Sequence, residues 1–219
     1  MQRDHDSGAS GFSSLRHGST ESREVEEYYD NWAETYDSTL TGWRYRAPQD
    51  ACELLAPHLA RGSHVLDVGC GTGLLGEALA RRGNYVIDGI DISAKSLALA
   101  ERRGIYADLV QHDLQKLPLP VDDDVYDAAA SVGVLTYVED AEALLRDLCR
   151  CVRPGGAIMF THRTDLWERQ AFPDLISRLE RDGLWSWPQI SAPRQYLPGN
   201  EEFSQEIKVI HTLCVSGHE

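Results

Sequence analysis

Short apolar runs alternate with longer amphipathic stretches through the middle of the chain. The runs are typical of buried strands, and we predict five of them, at residues 64–68, 85–90, 108–111, 125–132 and 157–161. The stretches between them carry apolar residues at helical spacing, as at Leu144, Leu145 and Leu148. Strands that alternate with helices of about ten residues indicate βαβ units, and hence a parallel sheet with helices on both faces.

Capping residues set the expected helix boundaries. Ser93 is placed to cap a helix that stops at Gly104, and Gly83 and Gly183 follow two further helical stretches. Besides the helix after Ser93, we predict helices at residues 47–60, 74–82, 140–152 and 172–181.

The two ends of the chain differ from its middle. Residues 1–22 are rich in Ser, Gly and charge and predict a disordered tail, whereas residues 23–219 predict a single domain. Residues 23–60 open this domain as an N-terminal cap element that mixes aromatic and acidic side chains. Near the other end, Trp185, Trp187 and Pro188 indicate a loop. Residues 207–215 predict a strand that pairs with a second late strand as an antiparallel hairpin at the sheet edge.

Composition narrows the possible partners. The 219 residues are 42% hydrophobic and 26% charged, and 21 Lys and Arg against 35 Asp and Glu give a net charge of −14. So much negative charge repels a phosphate backbone, and we expect no nucleic-acid partner. The five cysteines lack the paired spacing of a structural zinc site, so we expect reduced thiols and no metal. We see no secretory signal and no apolar run near the ~20 residues of a membrane span, and we expect a cytoplasmic protein without a membrane partner.

The most informative segment is DVGCGTG at residues 67–73, which follows a predicted strand and precedes a predicted helix. Its glycines let a ligand lie against bare backbone, and the start of the helix offers free N–H groups. Two classes of ligand use such turns. Residues 71–76 also fit the dinucleotide pattern G-x-G-x-x-G, and Asp91 follows Gly71 by about 20 residues, where a ribose-binding acid belongs.

Four features favour a ligand without phosphate. Two extra residues separate the strand from Gly71, and the Asp67 carboxylate lies inside the turn, where it attracts a cation and repels a diphosphate. Asp113 ends the third strand and suits an exocyclic amine, and RPGG at residues 153–156 precedes the fifth strand. Acids at three successive strand ends therefore suit a ligand with an ammonium group, a ribose and an adenine.

These segments together resemble a known family. VLDVGCGTG (65–73), IDIS (90–93), HDL (112–114) and RPGG (153–156) resemble successive motifs of class I S-adenosylmethionine-dependent methyltransferases. YDNWAETYD (29–37) resembles the tyrosine-bearing element that closes over the cofactor in many small-molecule members. A closer resemblance, carried by YRAP (45–48) and THRT (161–164), is to the methyltransferase-like group of the Williams–Beuren region. The expected fold class is α/β: Rossmann-like and doubly wound, with a mostly parallel seven-stranded sheet and an antiparallel C-terminal edge hairpin.

The resemblance implies roles for individual residues. Asp91 would accept the ribose hydroxyls, Asp113 the adenine amine, and Asp67 would hold the glycine turn. Val132 and its neighbour Ser131 would form the floor near the methyl group. The full set expected to bind the cofactor is Tyr29, Tyr36, Arg46, Asp67, Gly69, Cys70, Gly71, Gly73, Asp91, Ile92, Asp113, Leu114, Ser131 and Val132.

Three of the assigned roles have a structural alternative. Tyr36 covers the methionine part of the cofactor or packs in the core. Arg46 contacts the cofactor carboxylate or pairs with an acidic residue. His162, the candidate catalytic base, faces the pocket or is a hydrogen-bonded structural histidine.

The expected activity is in-line methyl transfer from S-adenosylmethionine to a small molecule or a protein, with S-adenosylhomocysteine as the product. Methyl transfer depends mainly on alignment and on exclusion of water, so the expectation holds without a general base. Two alternatives stay open at this stage. One is a cofactor-binding regulatory or scaffold protein without turnover, and the other is a nicotinamide oxidoreductase.

Overall fold

A mixed sheet runs through the centre of the molecule. The computed structural model describes residues 15–203 and 206–217. The strands are β1 (His64–Val68), β2 (Val86–Asp91), β3 (Asp108–Gln111), β4 (Tyr126–Ser131), β5 (Val152–Arg163), β6 (Trp185–Ile190), β7 (Arg194–Gln195) and β8 (Lys208–Ser216). Seven of these strands lie in the order β3-β2-β1-β4-β5-β8-β6, and the two-residue β7 pairs with β8.

Strand direction divides this sheet into two parts. β1 to β5 run parallel to one another, whereas β8 is antiparallel to β5, β6 and β7. The predicted α/β fold, with a mostly parallel sheet and antiparallel strands at its C-terminal edge, is confirmed. The order reverses between β1 and β4, and ligands of such sheets bind beyond the carboxyl ends of the strands at this reversal.

Seven helices are present in the described part of the chain. They are α1 (Ser22–Gly42), α2 (Ala47–Leu55), α3 (Leu74–Arg82), α4 (Ala94–Arg102), α5 (Ala141–Cys151), α6 (Thr164–Trp167) and α7 (Phe172–Arg181). Ser93 caps α4 as predicted, because its Oγ accepts the N–H of Ser96 at 3.1 Å. The helix predicted at residues 47–60 is shorter, because Pro57 has no N–H to donate to the Glu53 carbonyl; residues 56–58 form a 3₁₀ turn instead.

Two elements differ from the expectation. Residues 22–42, expected only as part of a cap, form a 21-residue helix. The predicted loop around Trp185 is the edge strand β6. The pairing register of β6 with β8 shifts between Ser186 and Gln189, and Trp187 there has φ +56°. This bulge explains how a strand accommodates Pro188, which has no N–H for a ladder.

Apolar layers cover both faces of the sheet. Neighbouring strand residues point to opposite faces, so Ile158 and Phe160 pack with α5 and α7, whereas Met159 packs with α2 and α3. A third apolar cluster lies over the carboxyl ends of the strands and joins α1 to the segment around Leu197 and Phe203. This cluster is rich in aromatic rings and determines the shape of the site described below.

The last residues of the predicted N-terminal tail lie against the domain. Leu15 is buried, and Arg163 donates a hydrogen bond to its carbonyl at 2.7 Å. Residues 15–21 therefore contact the domain, and α1 begins at Ser22, inside the predicted tail of residues 1–22. Residues 1–14 of that tail lie outside the described residues. Within the described ranges, no helix is both long and apolar enough to span a bilayer.

Candidate functional site

An open pocket with about 690 Å³ of empty space lies at the carboxyl ends of β1, β2 and β4. The α1 helix contributes part of the wall through side chains including Val25, Tyr29 and Tyr36. Nine of the predicted cofactor-binding residues line the pocket: Tyr29, Tyr36, Gly69, Gly71, Asp91, Ile92, Asp113, Leu114 and Val132.

The turn after β1 brings bare backbone to the pocket. Gly69 and Gly71 have φ of +74° and +54°, in the left-handed region that favours glycine. A Cβ atom on Gly69 would lie 2.2 Å from a methyl group of Val134, so only glycine fits there. A Cβ on Gly71 would meet no atom within 4 Å, because Gly71 borders the empty pocket.

The Asp91 carboxylate joins two loops at the edge of the pocket. Its Oδ2 accepts the Gly71 N–H at 2.7 Å, and its Oδ1 accepts the Ser93 N–H at 2.8 Å. Each carboxylate oxygen can accept a further hydrogen bond, so Asp91 retains the capacity to bind a pair of hydroxyls. Burial raises the pKa of Asp91, and the bonds from Ser93 and Gly71 oppose that rise.

The Asp67 carboxylate lies behind the glycine turn and does not line the pocket. It accepts a hydrogen bond of 2.7 Å from the Tyr106 hydroxyl. Burial raises the pKa of Asp67 to about 7, and the bond from Tyr106 opposes the rise. Asp67 therefore contacts Tyr106 and does not border the pocket, and its expected role of holding the turn stays a prediction.

The Asp113 carboxylate lies at the far side of the same pocket. Its Oδ1 accepts the Gln115 N–H at 3.0 Å, and Lys116 lies 3.4 Å from its Oδ2. Burial alone would raise the pKa of Asp113, but hydrogen bonds from Gln115 and Ser22 outweigh it and lower the pKa. Asp113 is therefore ionised at neutral pH and is a hydrogen-bond acceptor for a donor in the pocket.

His162, the predicted catalytic base, is turned away from this pocket. Its side chain is 1% exposed, its Nε2 lies 2.7 Å from the Gln170 Oε1, and its ring packs 3.9 Å from that of Phe172. Burial lowers the pKa of His162 to about 4, so the imidazole is neutral at physiological pH. The structure therefore agrees with the alternative of a hydrogen-bonded structural histidine, because neighbouring strand residues point to opposite faces of the sheet. Thr161, and not His162, points toward the pocket side, where its Oγ1 accepts the Gly133 N–H at 2.8 Å.

Four further predicted residues do not reach the pocket. Arg46 lies 3.7 Å from Asp50 on the protein surface, which corresponds to the alternative of pairing with an acidic residue. Cys70 and Ser131 are buried outside the lining. Gly73 begins α3 and faces Tyr106. The motif therefore contains both residues that line the pocket and residues that support the turn from behind.

A second, smaller space adjoins the pocket, and we call it the aromatic chamber. It has about 340 Å³ of empty space and shares Tyr29, Tyr36, Gly133 and Tyr137 with the pocket. The rest of its lining is Leu15, Trp32, Leu40, Tyr45, Tyr196, Leu197 and Phe203. Burial raises the pKa values of Tyr36, Tyr45 and Tyr196, so their hydroxyls remain protonated at neutral pH.

Sequence reasoning missed several lining residues. Gln115, Tyr137 and Val138 reach the pocket from loops after β3 and β4, and Ser22 and Val25 reach it from α1. Gln115 directly follows the motif HDL (112–114) in the loop after β3, so that motif could have marked it, whereas no motif marks Tyr137 and Val138. In the described residues, no group of three or more His, Cys, Asp or Glu side chains is arranged to hold a metal ion.

Comparison with known proteins identifies the family. A family model for the methyltransferase domain matches residues 66–160. Methyltransferase-like protein 27 of Homo sapiens is 32% identical over 182 residues, which cover 78% of this chain and 74% of that protein. The chain belongs to the S-adenosylmethionine-dependent methyltransferases. The resemblance drawn from the sequence motifs is thereby confirmed.

Other members of the family show how far this likeness extends. Ubiquinone biosynthesis O-methyltransferase of Coxiella burnetii is 32% identical over 103 residues, which are 46% of this chain and 44% of that protein. An N-methyltransferase of Haemonchus contortus, solved with phosphomonomethylethanolamine and S-adenosylhomocysteine, superposes with a TM-score of 0.68 at 14% identity. The superposed region covers 94% of this chain and 60% of the Haemonchus protein, and this likeness shows a shared fold.

The pocket fits the cofactor of this family, S-adenosylmethionine. Gly71 presents open backbone, Asp91 has spare acceptor capacity for the ribose, and the ionised Asp113 accepts an amine hydrogen. The lining contains no arginine or lysine for a diphosphate within the described residues. The predicted cofactor is therefore confirmed, and it replaces the nicotinamide alternative.

Proposed function

We propose that the chain transfers the methyl group of S-adenosylmethionine to a small molecule that binds in the aromatic chamber. The observation that carries this proposal is the shared wall between the chamber and the cofactor pocket. Tyr29, Tyr36, Gly133 and Tyr137 border both spaces, so a molecule in the chamber lies next to the reactive end of the pocket. A protein side chain is the second class of acceptor, but the chamber is the smaller of the two spaces and favours a compact ligand.

The residues of this chain hold the cofactor in one orientation. Asp91 accepts the ribose hydroxyls, Asp113 accepts the adenine amine, and Ile92 packs on the adenine ring. The turn at Gly69 and Gly71 lies against the methionine part, since neither residue has a side chain to block it. When bound, S-adenosylmethionine supplies a methyl carbon that an acceptor lone pair attacks in line, while the carbon–sulfur bond breaks and its electron pair stays on sulfur.

The chamber positions the acceptor without a strong base. Its polar groups are tyrosine hydroxyls that stay protonated at neutral pH, and the described part of the lining holds no histidine or carboxylate. The acceptor must therefore have a lone pair available at neutral pH, or must lose its proton directly to water. The main contributions of the protein are alignment of the acceptor and exclusion of bulk water.

The first test combines binding with turnover. Calorimetry with S-adenosylhomocysteine should show binding to the full chain. Radiolabelled S-adenosylmethionine should then label a product in a small-molecule extract and leave the protein fraction unlabelled. Labelled protein would show that the acceptor is a protein side chain and not a small molecule. Cofactor binding without any labelled product in either fraction would contradict turnover and support the regulatory alternative.

The chamber itself needs a separate test. Tyr196→Ala removes a ring that borders the chamber but not the cofactor pocket, whereas Tyr85→Ala removes a tyrosine distant from both. We expect Tyr196→Ala to abolish or greatly slow product formation while S-adenosylhomocysteine binds as tightly as before. Normal turnover in this variant would place the acceptor elsewhere.

A further inference from the structure

A groove lined with arginine lies on the outer side of the aromatic chamber. It contains about 890 Å³ of open space and is lined by Arg44, Arg46, Asp50, Arg194, Gln195 and Pro198. We call it the arginine groove. Three guanidinium groups around one cavity are unexpected in a chain with a net charge of −14.

The charges of the groove are only partly balanced by its own acids. The buried carboxylate of Asp50 lies 3.7 Å from Arg46 and 3.4 Å from Arg194, and Glu53 lies 3.8 Å from Arg46. Arg44 makes no ion pair with any residue in the described ranges. Guanidinium groups each offer five N–H donors, so most donors in the groove remain available to a ligand.

The groove and the chamber share a wall built from two short segments. Tyr45 lines the chamber, while Arg44 and Arg46 on either side of it line the groove. Tyr196 likewise lines the chamber next to Gln195 in the groove. The two tyrosine rings contact each other, with 5.5 Å between their centroids, and both border the chamber.

The same ring pair leads to the reactive end of the cofactor pocket. A Cβ atom on Gly133 would lie 3.1 Å from the Tyr45 hydroxyl oxygen and 3.4 Å from that of Tyr196. Gly133 lines both the pocket and the chamber. The groove is therefore about one tyrosine side chain away from the point where the methyl group would be transferred.

We infer that the arginine groove binds an anionic group, phosphate or carboxylate, of the methyl acceptor. The inference rests on the proposed function in so far as the ligand is a methyl acceptor. That the ligand is an anion is argued from the arginines of the groove alone. Arginine is suited to both anions because its planar guanidinium donates two parallel hydrogen bonds. The acceptor then has its nucleophilic atom in the chamber and its anion in the groove, roughly one tyrosine length apart.

Binding of inorganic phosphate tests the charge of the site directly. Arg44→Gln and Arg194→Gln each remove one groove cation, and Arg61→Gln removes an exposed cation from the loop before β1. We expect the full chain to bind phosphate, with affinity about tenfold weaker in each groove variant and unchanged in Arg61→Gln. Equal phosphate affinity in all four proteins, or no binding in any of them, would overturn the inference.

A second measurement identifies the source of the anion. A small-molecule extract is separated on an anion exchanger and each fraction is incubated with radiolabelled S-adenosylmethionine. We expect labelled product in the retained fractions, with KM raised and kcat unchanged for Arg44→Gln and Arg194→Gln. Product confined to the unretained fractions would overturn the assignment to the acceptor, even if free phosphate binds.

The two proposals fail in different ways. If the full chain does not bind S-adenosylhomocysteine, or binds it but forms no methylated product, the proposed function is contradicted. The phosphate measurement would still show whether the groove binds an anion. Normal turnover on uncharged acceptors, with phosphate affinity that does not depend on the arginines, would contradict only the anion site.

Discussion

Gly71 offers the sharpest test of the cofactor pocket. Valine at this position would place a branched side chain into the open pocket, so we expect Gly71→Val to abolish S-adenosylhomocysteine binding. It would also strain a backbone with φ +54°, at a cost of roughly 1–2 kcal/mol. Gly62→Val is the matched control, because Gly62 has φ +85° and open space but lies outside the pocket. Calorimetry should show binding lost in Gly71→Val and retained in Gly62→Val; retention in both would place the cofactor elsewhere.

Asp91 allows a graded test of the same pocket. Asp91→Ala removes the proposed acceptor for the ribose and also the partner of the Gly71 N–H. We expect binding of S-adenosylhomocysteine to weaken by about 1–3 kcal/mol, since two polar partners lose a charged acceptor. Asp122→Ala, at an exposed position, should bind normally. An affinity of Asp91→Ala within error of the unchanged chain would remove Asp91 from the ribose site.

At this scale the sequence predicts contacts that are local in the chain. The glycine turn and the acids at strand ends follow from short motifs, and the structure places Asp91 and Asp113 at one pocket. The orientation of the His162 side chain does not follow from a motif. It depends on which residues of β5 point to which face of the sheet. Tyr137 and Gln115 reach the pocket through loop paths that depend on packing between distant segments.

Among the elements, α1 forms part of the pocket wall, and two of its carboxylates bind it to the rest of the domain. Asp30 accepts hydrogen bonds from the Ser93 hydroxyl at 2.6 Å and from the Lys95 N–H at 3.2 Å. Asp37 accepts the Thr72 hydroxyl at 2.5 Å and pairs with Arg103. These contacts join α1 to the segments after β1 and β2, next to the glycine turn and Asp91.

We expect Asp37→Ala to loosen α1 without unfolding the domain. Hydrogen exchange of residues 22–42 should become about fivefold faster, which corresponds to ~1 kcal/mol. S-adenosylhomocysteine should slow exchange over the same residues in the unchanged chain. Glu34→Ala, at an exposed position on the same helix, serves as the control. Exchange that is equally slow in both variants would show that α1 is held mainly by its aromatic side chains.

The elements themselves were largely predictable. Helices α3 and α7 have their predicted bounds because glycine follows each, and β1 to β4 lie within one residue of their apolar runs. β5 is longer than the predicted strand at residues 157–161: it begins at Val152, includes RPGG and ends at Arg163. The α1 helix was missed because its aromatic residues indicate packing but do not mark a boundary. The β6 strand was missed because Pro188 and its two tryptophans are typical of loops. A strand can contain Pro188 here because the bulge lies at the sheet edge, where the missing N–H breaks no ladder bond.

At the scale of the whole molecule, two buried groups oppose each other in the pH dependence of stability. The pKa of His162 is lowered to about 4, so protonation of the unfolded chain reduces stability as pH falls below about 6.5. The pKa of Asp67 is raised to about 7, so the folded state holds a proton that the unfolded state has lost. The contribution of Asp67 to the free energy of unfolding therefore falls as pH rises from about 4 to 7, by up to ~1.4 kcal/mol per pH unit.

Asp67→Asn isolates the second contribution. The amide keeps an acceptor for the Tyr106 hydroxyl but does not titrate. We expect the variant to gain stability relative to the unchanged chain as pH rises from 5 to 7, measured as the free energy of unfolding in urea. Asp122→Asn should show no such trend. A constant difference between Asp67→Asn and the unchanged chain across this range would show that Asp67 titrates near its ordinary pKa.

The wall shared by the aromatic chamber and the arginine groove has a consequence for altering this protein. Two peptide segments, at residues 43–46 and 194–199, touch at Gly199, whose N–H donates to the Trp43 carbonyl at 3.1 Å. Neither contributes a residue to the cofactor pocket. If the chamber and the groove bind the acceptor as proposed, replacing both segments with those of a relative should change the acceptor that is methylated while S-adenosylhomocysteine binding stays the same.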